Sequence, residues 1–323
     1  MKLLAGFDVG GTNARLCLYD ASFTIVGQAR TRVREATAPE EIAATLLGLL
    51  DKVLASDELD AAVIDAAVID AVGIGLAGQL SVDGELVVNA PNLGWRDVAL
   101  AQMLREHLAP AHGTARVKVV NDLSALLWGE HAAGAVAGAS DVLAVYVGTG
   151  VGGAILAGGR LIDGAGGKAG EIGHFKVAVG GRLCGCGQRG CLEAYVGGIH
   201  LESQVAELAH AHDIAQVFMG DEREIVDLSR ADALSHSVAE LDALWERASD
   251  YLALSLANAC TLLNPAVLLL GGGVLANCFD LRERVLTKTL PLVLAAARSD
   301  MDIRLPTLGE EAGMLGAALL ASI

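Results

Sequence analysis

Residues 164–193 read GAGGKAGEIGHFKVAVGGRLCGCGQRGCLE and carry His174, Cys184, Cys186 and Cys191 in the order His-x9-Cys-x-Cys-x4-Cys. Three thiols and an imidazole this close, among glycines that let a short loop fold back on itself, match the ligand set of a closed structural zinc site. The alternative is a group of ordinary buried cysteines beside a chance histidine. Half of the chain's six cysteines fall between positions 184 and 191, between turn-forming glycines and away from any apolar run, which favours the metal. Glu171 and Glu193 stand just outside the ligands. A four-ligand zinc needs no further acid, so both carboxylates are left to face a substrate while the metal holds their loop rigid.

Around this loop lie 323 residues, 53% of them hydrophobic, enough to bury a sizeable core and more than one compact domain usually holds. Two domains are expected, one spanning 1–121 and completed by a C-terminal helix at 309–323, the other spanning 122–308 with the cysteine loop. A formal net charge of -16 speaks against a nucleic-acid partner, which calls for a basic face. It does not exclude a nucleotide, which backbone N–H groups and a metal ion can hold. The start, MKLLAGFDVGG, shows no long apolar segment with a cleavage site, and no stretch reaches the roughly 20 apolar residues of a spanning helix. A cytoplasmic protein without a membrane partner is expected, where reduced thiols suit metal binding better than disulfides.

Residues 3–8 and 14–19 read as strands around Gly10-Gly11-Thr12, with a third strand at 23–32. A glycine tip brings backbone N–H groups close to a phosphate, Thr12 adds a hydroxyl, and Asp8 at the strand end could hold a hydrated Mg²⁺. A plain hairpin turn with polar ends explains this segment as well. The pattern returns at 141–147, where a strand meets Gly148-Thr149-Gly150-Val151-Gly152-Gly153. These glycines also satisfy G-x-G-x-x-G, but that motif needs a helix directly after it, and Gly158-Gly159 stops the following apolar run after about one helical turn. A second glycine-tipped hairpin results, and two such tips facing each other across a cleft would grip a polyphosphate. A third glycine turn, Gly271-Gly272-Gly273, follows an apolar strand at 267–270 and would let backbone lie flat against a base or ribose.

Between these turns, a helix is expected at 39–54 and a strand at 71–76 ending in Ala77-Gly78. DAAVI stands at 60–64 and again at 65–69, a local duplication with no assigned role. The loop 89–95, NAPNLGW, carries the amide and aromatic groups of a sugar site, although Asn, Pro and Gly are common in any loop. A strand at 116–121 ends in Asn121-Asp122 before a helix at 123–135. Strand carboxyl ends face the ligand crevice of open α/β sheets, so Asp122 is placed as a general base; the simpler alternative is a helix cap. The last third reads as helices at 199–212, 222–229, 238–263, 280–294 and 310–320, with a strand at 301–305. Together the lobes describe a two-lobed phosphotransferase.

Asp8-Val-Gly-Gly-Thr12, Gly148-Thr-Gly-Val-Gly-Gly153, Glu171-Ile-Gly-His174, Cys184-Gly-Cys-Gly-Gln-Arg-Gly-Cys-Leu-Glu193 and Leu270-Gly-Gly-Gly273 resemble, in order, the motifs of the ROK family of sugar kinases and repressors. The resemblance covers nearly the whole chain. It implies the actin-like ATPase fold, an α/β architecture in which a ribonuclease-H-like domain is duplicated around an interdomain cleft, with a structural Zn²⁺ and with ATP and Mg²⁺ between the domains. It implies nucleotide binding by Asp8, Gly10, Gly11, Thr12, Gly148, Thr149, Gly150, Gly152, Gly271 and Gly272. Sugar contacts would come from Gly78, Asn92, Asn121, Asp122, Glu171, His174 and Glu193, with Asp122 as base. His174 would bind zinc through one ring nitrogen and the sugar through the other.

Two departures stand out: Ala77 replaces the usual proline before Gly78, and Asn13-Ala14-Arg15 is more like a second bacterial glucokinase family that lacks the cysteine loop. Likeness to the family also favours a homodimer. Family repressors carry a winged helix before the first hairpin, and Asp8 stands too near the first residue for one. The expected activity is therefore ATP-dependent phosphorylation of a sugar, with glucose at its 6-hydroxyl favoured by the loop at 91–95. Fructose, mannose, N-acetylmannosamine or N-acetylglucosamine are the alternatives.

Overall fold

The computed structural model describes residues 2–33, 38–56, 68–112, 115–219 and 225–323. The chain divides into two compact units, one of 1–138, 160–169 and 306–323, the other of 139–159 and 170–305. These bounds differ from the expected 1–121 and 122–308, because the helix opened by Asp122 packs within the first unit.

In the first unit β1 (Lys2–Val9), β2 (Asn13–Tyr19), β3 (Ile25–Arg32), β4 (Val68–Leu76) and a later strand, Arg116–Asn121, form one sheet. β1 pairs antiparallel with β2 and parallel with β4, and β4 pairs parallel with Arg116–Asn121. Most central positions of β1 and β4 are buried on both faces, which a sheet covered by helices on each side requires. One face packs on the helices Pro39–Leu54 and Leu100–His112 through Ile42, Leu46, Leu50, Leu104 and Leu108. The other packs on the C-terminal helix, Glu311–Ser322, through Met314, Leu315 and Ala318. That helix lies close against its neighbours. A Cβ at Gly73 would run into the carbonyl of Ala317, and one at Gly316 into the carbonyl of Ala125 on the helix Asp122–Ala133. Fully buried Glu130 binds this crossing from below. Its carboxylate accepts from the N–H groups of Ala135, Thr307 and Leu308 at 2.7, 2.9 and 2.8 Å.

The expected loop at 89–95 is instead part of a small sheet of Gln79–Leu80, Val87–Ala90 and Trp95–Val98, with a single 3-10 turn at Pro91–Leu93. Trp95 is only 4% exposed and belongs to the core, so its indole is not an open platform for a ligand. The duplicated DAAVI lies mostly outside the described residues, and its last residues open β4.

In the second unit, Val142–Val147 and Val151–Ala157 form an antiparallel hairpin, and Val142–Val147 pairs parallel with Val267–Gly271, itself parallel to Asp302–Arg304. This is the winding of β2, β1 and β4 over again. No helix follows Gly153, as the hairpin reading expected. The sheet packs on a helical layer in which Trp245, Leu252, Leu256, Leu281 and Val285 are fully buried. The expected helix at 222–229 is corrected. Ile225–Val226 pairs with Phe218–Met219, and the helix Leu228–Leu234 starts where Asp227 Oδ1 accepts from the N–H groups of Ser229 and Arg230, at 3.0 and 3.2 Å. Residues 222–224 lie outside the described part.

Candidate functional site

Parallel pairing in the first unit aligns Val9 with Leu76 and Leu76 with Asn121, so three strands end at one edge of the sheet. Asp8, Gly78 and the Asn121-Asp122 pair are thereby gathered where open α/β sheets bind ligands. Asn121 is the N-cap of the helix Asp122–Ala133: its Oδ1 accepts from the N–H groups of Leu123 and Ser124 at 3.0 and 3.1 Å. The capping role weighed for Asp122 thus belongs chiefly to its neighbour. Asp122 Oδ1 also accepts from Leu123 N–H, at 3.0 Å, which holds the carboxylate in the first turn at the positive end of the helix dipole.

The tip Gly10-Gly11-Thr12 is closed by Gly10 N–H on the Asn13 carbonyl at 2.9 Å and by Val33 N–H on the Thr12 carbonyl at 2.8 Å. Thr12 is exposed and Gly11 half-buried, and Asn92 lies beside Gly11. Gly78 has no room for a side chain, because a Cβ there would stand 2.7 Å from the Asn89 carbonyl. Burial raises the Asp8 carboxyl above its ordinary value, and the Arg15 guanidinium, 3.3 Å away, works against that rise. A half-buried carboxylate beside a glycine tip is chemically suited to a divalent cation such as Mg²⁺. Arg15, to which the sequence assigned no role, faces Asp8 because the two are paired in the hairpin, and it also binds Glu310 at 2.8 Å.

In the second unit the tip Gly148-Thr149-Gly150 closes through Gly148 N–H on the Gly150 carbonyl at 2.9 Å. The carbonyls of Gly148 and Thr149 accept from Gly198 and Ile199, the first N–H groups of the helix Gly198–His212. Thr149 is exposed at the tip, whereas Gly152 stands within its strand, paired with Tyr146. Gly271 pairs with that same Tyr146 from the other side, and Gly272 follows at a φ of 97°. The second and third glycine turns are therefore neighbours at adjoining strand ends.

The cysteine loop is built from short antiparallel contacts, Lys176 opposite Cys191 and Leu183 opposite Arg189. They bring one donor atom each of His174, Cys184, Cys186 and Cys191 within 4.8 Å of one another. Cys184 Sγ lies 3.8 Å from His174 Nδ1, and Cys186 Sγ lies 3.7 Å from Cys191 Sγ. Zinc–sulfur bonds of about 2.3 Å at tetrahedral angles put two sulfurs about 3.8 Å apart, so the four residues fit the metal. Burial pushes the Cys184 thiol up to about 12. Cys186 is held below the ordinary thiol value despite some burial, through hydrogen bonds from the Gln188 backbone and the neighbouring thiols and the charge of Lys176. A metal would displace the remaining thiol protons.

His174 ends the 3-10 turn Ile172–His174, and its Nε2, on the side away from Cys184, lies 3.7 Å from Glu171 Oε2. One ring nitrogen is thus turned to the thiols and the other to the Glu171 carboxylate, where the resemblance implied a sugar contact. Glu193 has a second attachment that the sequence did not reveal. Its Oε2 accepts from Val151 N–H at 3.0 Å and occupies the space a Cβ on Gly150 would need, while its Oε1 is 3.4 Å from Cys184 Sγ. The carboxylate therefore ties the cysteine loop to the glycine tip. His200 also comes within 4.8 Å of Cys184 and Glu193. Only the break between the helices Glu193–Val196 and Gly198–His212 turns it inward, and no spacing rule marks it.

Two similarly wound α/β units with glycine-tipped hairpins, one of them bearing a Cys₃His loop, define the class of this chain. A family model described as ROK family matches residues 4–323. A glucokinase of Halalkalibacterium halodurans is 31% identical over 320 residues, covering 98% of this chain and 93% of that protein. An N-acetyl-D-glucosamine kinase of Pectobacterium carotovorum subsp. carotovorum is 32% identical over 332 residues, covering 98% of this chain and 97% of that protein. Among solved structures, a ROK family glucokinase from Streptomyces griseus in complex with glucose and AMPPNP matches with a TM-score of 0.79 at 27% identity, covering 98% of each chain. The chain belongs to the ROK family, and its α/β fold is that of the ROK glucokinase structures.

Proposed function

We propose that this protein is an ATP-dependent sugar kinase that phosphorylates the 6-hydroxyl of glucose, with Asp122 as general base. The observation that carries this reading is the division of labour at the helix start: Asn121 caps the helix, and Asp122 is held at the strand edge that also presents Asp8 and the first glycine tip. Asp122 accepts the proton of the sugar hydroxyl, whose oxygen forms the new bond to the γ-phosphorus of ATP as the bond to the departing ADP breaks. Gly10, Gly11 and Thr12 in the first unit and Gly148, Thr149 and Gly150 in the second supply N–H and hydroxyl donors to the phosphates. Gly271 and Gly272 lie against the nucleoside. Asp8 would hold Mg²⁺, which supplies charge neutralisation on the phosphates. Gly78, Asn92 and Asn121 in the first unit, and Glu171, His174 and Glu193 in the second, bind the sugar. His174, Cys184, Cys186 and Cys191 would hold a structural zinc that keeps Glu171 and Glu193 in place.

Relatives of nearly equal identity are named glucokinase and N-acetyl-D-glucosamine kinase, which makes an N-acetylated hexose the second reading. Steady-state rates with ATP and a panel of hexoses and N-acetylhexosamines decide between them. Glucose is expected to show the highest kcat/KM. A tenfold preference for an N-acetylated sugar, about 1.4 kcal/mol in transition-state binding, overturns glucose and leaves the kinase. No turnover of any sugar overturns both.

A further inference from the structure

The cysteine loop places a cation directly on one of its sulfurs. Lys176 Nζ lies 2.8 Å from Cys191 Sγ. The backbone sets up this contact: Lys176 and Cys191 are opposite each other in an antiparallel bridge, with Val177 N–H on the Gly190 carbonyl at 2.9 Å to one side and Leu192 N–H on the Phe175 carbonyl at 2.8 Å to the other. Lys176 itself is exposed, whereas Cys191 is fully buried. The ammonium thus reaches from solvent onto a sulfur that water does not solvate.

Charge explains why a cation belongs there. Three thiolates and a neutral imidazole around a divalent zinc carry a net charge of -1. Glu193 adds a carboxylate 3.4 Å from Cys184 Sγ, so the loop gathers two negative charges, one of them on buried sulfur. Burying a charge is costly without a partner, and outer partners of metal ligands tune how tightly the metal is held. No acidic side chain among the described residues is paired with Lys176, and its ammonium is hydrogen-bonded to the Cys191 sulfur.

We propose that Lys176 is a positioning residue of the metal loop, donating an N–H···S hydrogen bond to Cys191 that compensates the charge of the ligand set and slows loss of the metal. This rests on the zinc reading of the loop. The donor draws electron density from the sulfur, which makes it a poorer target for protons, chelators and alkylating agents.

The test uses the full-length protein purified with its metal, as wild type, Lys176→Met and Lys176→Arg. Metal content is measured first; then the rate of zinc transfer to a chromogenic chelator and the rate of thiol alkylation by iodoacetamide are followed. Lys176→Met removes charge and donor while keeping the aliphatic stem at an exposed position. It is expected to release zinc about tenfold faster than wild type, with Cys alkylation rising in parallel. Lys176→Arg keeps the charge and is expected to stay within about threefold of wild type, which a loss of packing alone would not produce. Equal release rates for wild type and Lys176→Met overturn the role of Lys176 and leave the zinc site standing. Wild-type protein that neither contains zinc nor takes it up overturns the site and the inference together, and hexose kinase activity in that protein shows that the kinase reading survives.

Discussion

Glu130→Gln probes what holds the helix of Asp122 in place. The wild-type carboxylate is fully buried and accepts four hydrogen bonds: Oε1 from Thr307 N–H and Leu308 N–H at 2.9 and 2.8 Å, Oε2 from Ala135 N–H and the Thr307 hydroxyl at 2.7 and 3.2 Å. Glutamine has the same shape but only one acceptor oxygen. With its oxygen toward Thr307 and Leu308, its NH₂ group meets Ala135 N–H donor to donor, while the Thr307 hydroxyl rotates to accept. The second N–H of the buried glutamine amide, which points at a donor and finds no acceptor, costs about 1–3 kcal/mol, and the two retained bonds weaken on losing their charge, by about 0.5–1 kcal/mol each. Relief of burying a charge offsets part of this, for a net destabilisation of about 2–3 kcal/mol. Calorimetric melting should show the transition of the first unit lowered by about 5–10 °C. Thr307→Val, which removes only the hydroxyl bond, should cost no more than about 1 kcal/mol. A melting temperature for Glu130→Gln within 1 °C of wild type would falsify the view that this carboxylate fastens the C-terminal segment to the helix of Asp122.

Two further outcomes follow from the site. Asp122→Asn keeps shape and capping geometry but removes the proton acceptor, so kcat should fall by roughly 10² to 10⁴ with a smaller change in sugar KM; near-normal turnover would return Asp122 to a purely structural role. Cys184→Ser should lower zinc content and weaken sugar binding together, because Glu171 and Glu193 share the loop, and a zinc-free protein with full activity and sugar affinity would remove the metal from the account.

Local signals carried much of the architecture. The glycine tips at 10–12 and 148–150, the terminating Gly158-Gly159 and the polar ends of the apolar strands specify two hairpins of the same winding, since these features act through neighbouring backbone. The ligand spacing of His174, Cys184, Cys186 and Cys191 was equally legible, because a loop of eighteen residues can close on itself without help from distant chain. Where the sequence was incomplete, a signal was sometimes present and passed over: Leu100, Leu104 and Leu108 keep helical spacing, and Asp227 before Leu228 is a cap.

Other features depended on what the chain folds against. Trp95 in a loop-like sequence is a core residue because a three-stranded sheet closes over it, and nothing in its neighbours announces that sheet. Asn121 and Asp122 stand side by side in the sequence, yet only the helix geometry separates the cap from the acid. Glu193 reaching Val151, Lys176 reaching Cys191, Arg15 reaching Asp8 and Glu130 reaching Thr307 are all pairings across strands, turns or distant segments. The sequence by itself determined the ligand types, the glycine turns and the family, because these are written in short-range spacing. Tertiary structure alone decided which carboxylate meets which donor, because packing brings together groups as far apart as Glu130 and Thr307, whose partnership leaves no local pattern in the chain.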